Sequence, residues 1–463
     1  MKAFSLFAFA SLISAVFSQQ QSVNESQPFD KNEDHYAFKT VITNATLNGF
    51  TIEYRNYYKI VKNTILGKTY CLVGWQQDLP EGCSSDSVIQ TPVQSFSIDT
   101  DSYGVIPFIE LLGLENNVTK TNTANTTSPC IKDGSADTST TAPQLVFSEA
   151  SLVGASYVAY SGGDDRLEPL QKASWLMYIG AFFDLELKSF SIYTQISDNY
   201  NCHKSNVGSV ATPKAVAWTT FQPSANLFTV QSDAYYSRLT QDAGGRFIST
   251  NVAQGDTFKT NYTTDLLPLA NTLRGADFII DSSAVNVDYT DWLRADSMYF
   301  TGENNIQKVN AIINNNVYST NGLITNNNQS DWFQRSAARP DLALLDLIKL
   351  FNPDFAIAAS SKTIQFPVWL VPFKNETTSR IITSEIYGGC GNMANKAFAQ
   401  SACTIGGSSI TGGQYIKKLS TGETAGISVG TIMFVLIASC LGIWLFRRYR
   451  RQKRHNFYRM NDL

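Results

Sequence analysis

Short apolar runs alternate with helix-like patterns between residues 90 and 355. Val93–Ile98 alternates in the manner of a strand, and Val105–Leu112 follows as an apolar helix that Gly113 ends. A longer stretch from Leu167 to about Tyr200 repeats apolar side chains at helical spacing and is interrupted only near Asp184. Further strands are predicted at Gln144–Phe147, Ala215–Trp218, Arg246–Ser249, Phe278–Ile280 and Asn316–Tyr318, and further helices at Ser232–Ala243, Leu266–Leu273, Ile306–Asn314 and Pro340–Phe351.

Strands and helices therefore alternate on both sides of one long helix. This order predicts an α/β fold with two Rossmann-like α/β lobes joined by a long bridging helix. The predicted domains are a polar leader with a disulfide hairpin at 19–90, an N-terminal lobe at 91–165, the bridging helix at 166–200, a C-terminal lobe at 213–355, and a disulfide-containing extension and stalk at 356–424.

The first residues have the pattern of a secretory signal. Lys2 precedes an apolar run from Ala3 to Phe17, and Ser18 is a small residue suited to cleavage, so residues 1–18 are predicted to be a signal peptide. The alternative is an N-terminal anchor helix. The run is short for a bilayer and a Gln-rich stretch follows it, which favours the signal.

The other end of the chain predicts a membrane anchor. Residues 425–446 contain no charged side chain and are long enough to span the hydrocarbon core as a helix. The basic tail at 447–463 should stay in the cytoplasm by the positive-inside rule. A cleaved lipid-anchor signal is the alternative, but it has no long basic segment after its apolar tail. We therefore predict a single-pass type I protein of the plasma membrane or another secretory membrane, with its large domain extracellular or lumenal.

Cysteines and glycosylation sequons agree with this topology. Cys440 lies in the predicted transmembrane helix, and the remaining six cysteines suggest disulfides in an exported domain. Local spacing favours Cys71–Cys83 and Cys390–Cys403, which leaves Cys130–Cys202. Seven Asn-X-Ser/Thr sequons predict glycosylation at Asn24, Asn44, Asn117, Asn125, Asn261, Asn328 and Asn375.

Charge narrows the range of partners. The whole chain has 36 basic and 39 acidic residues; without Lys2 and the residues after Phe446, the remainder has 28 basic and 38 acidic residues, a net charge of −10. An acidic exported domain argues against nucleic-acid partners. The basic tail could contact anionic lipid, although a stop-transfer role is sufficient to explain it.

Four segments resemble a known family. Asp331–Phe333 and Arg339–Pro353 (RPDLALLDLIKLFNP) resemble the closing segment of periplasmic-binding-protein-like substrate-binding proteins of the TroA-like, helical-backbone class III. Ile98–Gly113, Glu168–Leu187 and Trp218–Gly245 are similar to the family's first-lobe strand and helix, its bridging helix and the start of its second lobe. The resemblance covers roughly residues 90–355. It implies capture of a small ligand, such as a ferric siderophore, haem or cobalamin, by a membrane-anchored, fungal-type member of the family.

The resemblance also implies where the ligand lies. The family binds it between the lobes, at loops that follow the strands, in keeping with ligand binding beyond the carboxyl ends of open α/β sheets. Aromatic and polar side chains there suit a partly apolar chelate, and an arginine could pair with an anionic group. For Trp218 and Trp332 core packing is an equal alternative, and for Arg339 a surface helix start is the alternative. The residues carried over are Asp101, Tyr103, Glu149, Trp218, Phe221, Asp281, Ser283, Trp332, Arg335 and Arg339.

Catalytic motifs are lacking from the sequence. Only His35 and His203 precede the anchor, which is too few for a bare-metal site built from several imidazoles, and the same shortage argues against a Ser-His-Asp triad. No H-E-x-x-H, Walker loop or G-x-S-x-G is present. Paired carboxylates such as Asp164 and Asp165 are usually solvated, although a hydrolase with two facing carboxylates stays an alternative.

We therefore predict a non-enzymatic cell-surface receptor without metal or cofactor, which captures a small ligand between its lobes. The main alternative is a structural or adhesion glycoprotein that has kept the fold without ligand binding. The state of the crevice between the lobes distinguishes the two.

Overall fold

The structure, a computed structural model, describes most of the chain between Phe29 and Ile386. The predicted signal peptide and transmembrane helix lie outside the described residues, and among those residues no helix is long and apolar enough to cross a membrane. The described residues are 29–42, 48–74, 79–99, 102–120, 126–131, 143–150, 152, 154, 156–208, 212–249, 259–262, 267–295, 309–355, 366–374, 379–386 and 403.

A four-stranded sheet precedes the first lobe. Its strands are β1 (Phe50–Tyr54), β2 (Tyr58–Asn63), β3 (Lys68–Val73) and β4 (Val88–Gln90). The first three pair antiparallel and β4 pairs parallel with β3. The predicted Cys71–Cys83 disulfide is confirmed. Phe50 lies 5.2 Å from the ring of Trp175 in the first helix of the predicted bridge, and the sheet thus shares a hydrophobic core with the first lobe.

The first lobe is a parallel sheet with one helix between its first two strands. It contains β5 (Phe96–Ile98), α1 (Ile106–Leu112), β6 (Val118–Lys120), β7 (Leu145–Ser148) and β8 (Tyr157–Ala159). The strand order is β6-β5-β7-β8, all parallel. Gly113 has φ 69°, a left-handed conformation that ends α1 where the sequence predicted. The strands β6 and β8 are too short to be recognised from alternation.

The predicted bridge is two helices, α2 (Pro169–Ala181) and α3 (Glu186–Val207). The predicted interruption near Asp184 is confirmed, since Asp184 has φ 53° between them. Lys59 of β2 is completely buried and spans this break. Its ammonium donates to the carbonyl of Ala181 at 2.7 Å, to the carboxylate of Asp184 at 2.6 Å and to that of Glu186 at 2.5 Å.

Helix α3 connects the hydrophobic cores of the two lobes. Ile196, near its middle, belongs to the first-lobe core, whereas Tyr200 and Val207 belong to the second-lobe core. The helix runs seven residues beyond the predicted end at Tyr200. One continuous helix therefore fixes the separation of the lobes.

The second lobe is a mixed sheet with helices on both faces. The elements are β9 (Ala215–Gln222), β10 (Leu227–Gln231), α4 (Ala234–Asp242), β11 (Arg246–Phe247), β12 (Lys259–Tyr262), α5 (Leu267–Leu273), β13 (Phe278–Asp281), α6 (Tyr289–Arg294), α7 (Asn310–Ile313), β14 (Val317–Ser319), β15 (Leu323–Ile324), α8 (Trp332–Arg335), α9 (Pro340–Phe351), β16 (Val371–Pro372) and β17 (Arg380–Ile381). The strands of the sheet follow the order β12-β10-β9-β13-β14-β16, and β11 also pairs with β9. β9, β13 and β14 are parallel, whereas β10 and β16 are antiparallel to their neighbours.

Two of the predicted disulfide pairings are wrong. Cys202, near the end of α3, is bonded to Cys403, with 6.0 Å between their Cα atoms. This excludes both Cys130–Cys202 and Cys390–Cys403. Cys130 is disulfide-bonded as well, whereas Cys390 lies outside the described residues. The prediction paired cysteines that are close in sequence. It was wrong because Cys403 instead bonds to the bridging helix, 201 residues earlier in the chain.

The predicted glycosylation sites fall partly outside the described residues. Asn261 and Asn328 are exposed, and Asn117 is half-buried. Their use stays a prediction. Asn24, Asn44, Asn125 and Asn375 lie outside the described residues.

Candidate functional site

The strand ends of the two lobes provide the candidate site. In open α/β sheets, ligands bind beyond the carboxyl ends of the parallel strands, because the loops that diverge there leave a crevice. In the first lobe these ends lead into Ser102–Tyr103, Glu149 and Tyr160–Asp165, and in the second lobe into Ser282–Ser283 and Thr320–Asn321.

The two lobes meet where α2 and α4 begin. The backbone N–H of Ala234 donates to the carbonyl of Asp165 at 2.9 Å. The ammonium of Lys172 donates to the carbonyl of Gly163 at 2.9 Å and lies 5.7 Å from the ring centre of Tyr235. We call Asp165, Lys172 and Ala234, with their immediate neighbours, the inter-lobe junction.

The inter-lobe junction carries more negative than positive charge. Burial lowers the pKa of Lys172, and four carboxylates oppose this shift because they stabilise the ammonium. Asp164 already pairs with Arg166 at 2.8 Å. The junction therefore suits a neutral or cationic group better than an anionic one. The four carboxylates belong to Asp233, Asp165, Asp164 and Glu149.

Two of the first-lobe residues predicted to bind ligand, Tyr103 and Glu149, follow the ends of β5 and β7. Tyr103 is half-buried and Glu149 is exposed. The backbone N–H of Glu149 donates to the hydroxyl of Ser102 at 2.8 Å, which joins the ends of β5 and β7. A Cβ atom on Gly104 would approach the Glu149 carboxylate to 3.0 Å, so the glycine permits this close packing. Asp101 lies outside the described residues.

Trp218 and Trp332 lie in the second-lobe core, the alternative considered for both. Their rings stack at 5.5 Å, and Trp218 also stacks on Tyr236 at 4.3 Å. The indole N–H of Trp218 donates to the hydroxyl of Thr240 at 3.0 Å. Neither indole is more than 1% exposed. Tyr236, which is half-buried beside Asp233, is the member of this stack nearest the junction.

Arg335 and Arg339 are also buried and paired. Arg335, 1% exposed, forms an ion pair with Glu110 of the first lobe and another, at 3.3 Å, with Asp331. Arg339 makes a bidentate pair with Asp341 at 2.8 and 2.9 Å. Both guanidinium groups therefore neutralise internal carboxylates.

Asp281, Ser283 and Phe221 form a hydrogen-bonded cluster at the ends of β9 and β13. The fully buried Asp281 carboxylate accepts from the hydroxyl of Thr219 at 2.7 Å and from the backbone N–H of Ser283 at 2.9 Å. The indole N–H of Trp292 also donates to it at 2.9 Å. The hydroxyl of Ser283 accepts from the backbone N–H of Phe221 at 2.6 Å.

Sequence reasoning did not select Lys172, Asp233 or Tyr236. A usable signal existed for Asp233, because an aspartate directly before a predicted helix is a preferred N-cap, and its carboxylate accepts from the backbone N–H of Tyr236. Lys172 lies on the apolar face of α2, where its burial depends on the contact with the second lobe.

A shallow cavity of about 350 Å³ lies elsewhere on the second lobe. It is remote in sequence from the junction loops, and Lys374 is its charged residue. Among the described residues, no group of three or more His, Cys, Asp or Glu side chains could hold a metal ion. The cavity is lined by Tyr289, Asn315, Val317, Pro372 and Lys374.

Replacing Asp281 with asparagine should change how stability depends on pH. Burial raises the pKa of Asp281 from 3.8 to about 6. The folded protein therefore holds a proton that the unfolded chain has lost between these values, and this carboxyl makes the folded state less stable as pH rises through that window. A pKa change of this size corresponds to about 3 kcal/mol.

The measurement is urea unfolding of the wild type and of Asp281→Asn between pH 4 and pH 7.5. We expect the wild type to gain stability relative to the variant as pH falls. A difference in unfolding free energy that stays constant with pH would show that Asp281 has an ordinary pKa.

The comparisons with known proteins return structures alone. No family model matches the sequence, and no curated protein matches it.

Structurally similar proteins are periplasmic and ABC-transporter substrate-binding proteins. A periplasmic binding protein from Veillonella parvula has 9% identity and a TM-score of 0.42, over 65% of this chain and 97% of that one. An ABC-type Fe3+-hydroxamate transport protein from Saccharomonospora viridis has 10% identity and a TM-score of 0.41, over 62% and 97%. A periplasmic haem-binding protein of Vibrio cholerae has 12% identity and a TM-score of 0.38, over 54% and 99%.

Proposed function

We propose that this chain is a membrane-anchored surface glycoprotein that captures a small solute in the crevice between its two lobes. The observation that supports the proposal most directly is the inter-lobe junction. Loops from the strand ends of one lobe meet the start of α4 in the other, with Lys172 and Asp165 contacting Tyr235 and Ala234. A solute that enters there contacts both lobes, and its binding energy holds them together.

The candidate ligands are ferric siderophores, haem and cobalamin, the classes that the sequence resemblance implies. The test is thermal unfolding of the full-length protein with each ligand. A ligand present at about 100 times its dissociation constant stabilises the folded protein by about 2.7 kcal/mol. We expect a raised midpoint with one of these classes.

Site variants must avoid the core. Trp218 and Trp332 are buried in the second lobe, so their substitution would test folding rather than binding. Glu149→Gln changes an exposed carboxylate at the crevice, and Glu53→Gln is its control on β1. We expect only Glu149→Gln to change the ligand-induced shift. Equal shifts in both variants would place the ligand elsewhere, and no shift with any ligand would contradict solute capture.

The second candidate is a structural or adhesion role without a ligand. The buried Glu110–Arg335 pair favours it, because this pair joins α1 of the first lobe to α8 of the second. The hydroxyl of Thr127 adds a bond to Asp331 at 2.7 Å. Lobes held together by internal bonds need no solute. An unchanged thermal midpoint with every ligand tested would support this role.

A further inference from the structure

Three consecutive residues at the end of β14 each bury an oxygen without a partner. Ser319, Thr320 and Asn321 are no more than 1% exposed. Neither the two hydroxyls nor the amide oxygen of Asn321 has a hydrogen-bond partner among the described residues. Unpaired buried oxygens destabilise a fold, and native proteins contain few of them. Three in succession provide adjacent hydrogen-bonding positions for a group outside the polypeptide.

These three residues lie beside the central parallel strands. Ser319 is the register partner of Asp281 on β13, and the backbone N–H of Thr320 donates to the carbonyl of Asp281 at 3.1 Å. The amide nitrogen of Asn321 approaches the carbonyl of Ser283 at 3.5 Å. The carboxyl end of such a strand is where open α/β sheets bind ligands.

The end of β13, which pairs with the end of β14, is connected to the inter-lobe junction through Ser282 and Tyr236. Tyr236 hydrogen-bonds Ser282, whose hydroxyl also donates to the carbonyl of Thr219 at 3.3 Å. Tyr236 is two residues from Ala234, whose backbone N–H donates to the carbonyl of Asp165 in the first lobe at 2.9 Å. Ser282 therefore links Tyr236, at the inter-lobe junction, to the strand end that adjoins β14.

The unpaired atoms limit which chemical groups can bind beside them. The amide nitrogen of Asn321 is directed at the carbonyl of Ser283, which leaves the amide oxygen as the unpaired atom. An amide oxygen can only accept a hydrogen bond. The hydroxyls of Ser319 and Thr320 can also accept. The carboxylate of Asp281 lies on the neighbouring strand, and the junction has an excess of carboxylates. Acceptors in a negative environment suit a cationic or neutral donor.

We propose that Ser319, Thr320 and Asn321 receive a hydrogen-bond donor of the captured solute, an ammonium or a hydroxyl group. The inference rests on the proposed function and adds a chemical requirement to it. A solute that carries carboxylates alone can accept from the two hydroxyls but does not satisfy the amide oxygen of Asn321.

The first test needs no ligand. Thr320→Val removes an unpaired hydroxyl, whereas Thr240→Val removes the equally buried hydroxyl that accepts from Trp218. We expect Thr320→Val to keep or raise the thermal midpoint of the full-length protein, and Thr240→Val to lower it. A drop of similar size in both variants would show that Thr320 is already satisfied internally, for example by water, and would overturn the proposal.

The second test uses two matched probes, a ferric trihydroxamate that bears one primary ammonium group and its N-acetylated form. We expect the wild type to bind the ammonium form about tenfold more tightly, and the double variant Thr320→Val/Asn321→Leu to lose that preference. Equal binding of both probes by wild type and variant would overturn this site but leave solute capture intact. No binding of either probe, with no shift across the ligand panel, would overturn both.

Discussion

Replacing Arg335 with methionine should destabilise the folded protein by about 3–5 kcal/mol. Glu110 is completely buried, and its second carboxylate oxygen has no partner among the described residues. Loss of the guanidinium would leave its charge uncompensated in the interior. Asp331 would be affected less, because Thr127 and the indole of Trp369 also donate to it.

Urea unfolding of a double-mutant cycle measures this effect. We expect Arg335→Met alone to be severe and Glu110→Leu/Arg335→Met together to be much milder, since the double variant removes the Glu110 charge that Arg335→Met leaves uncompensated. Arg55→Met is the matched control, because the Arg55–Glu53 pair is about half exposed and should contribute little. Additive effects of the two buried substitutions would show that Glu110 and Arg335 do not interact energetically.

Removing the Cys202–Cys403 disulfide should have an effect of similar or larger size. It closes a loop of 201 residues, against 12 for Cys71–Cys83. In the chain-entropy model the long loop contributes about 5 kcal/mol and the short one about 3 kcal/mol. Cys202→Ala/Cys403→Ala should therefore lower the unfolding free energy more than Cys71→Ala/Cys83→Ala.

Guanidinium unfolding of both double variants under non-reducing conditions gives the comparison. A larger loss for the short loop would indicate that local strain, rather than loop length, decides the contribution.

The sequence predicted the larger elements because their periodicity is local. Helices α1, α4 and α9 and strands β7 and β13 lie within a few residues of their predicted bounds. The hairpin of β9 and β10 was missed because Pro223–Ala225 resembles an ordinary loop, whereas Leu227–Gln231 returns along β9. Pairing between strands depends on tertiary contacts that periodicity does not encode.

The candidate site was less predictable for a physical reason. The presence of a tryptophan or an arginine in the sequence does not show whether its side chain lines a binding crevice or is buried in a core. Trp218 is buried by a stack with Tyr236 and Trp332, and Arg335 by a carboxylate 225 positions away. The Cys202–Cys403 bond shows the same limit, since sequence spacing carries no information on contacts across 201 positions.

The helix break at Asp184 has a mechanical consequence. Two-lobed proteins usually bend at such interruptions, but here Lys59 joins the carbonyl before the break to two carboxylates within and after it. The N-terminal sheet thus stabilises the angle between α2 and α3 through Lys59 of β2, which lies more than a hundred residues earlier in the chain. A motion of the lobes that bends the bridge at Asp184 would have to break these three bonds, whereas sliding at the contacts of α8 and the start of α4 would leave them intact.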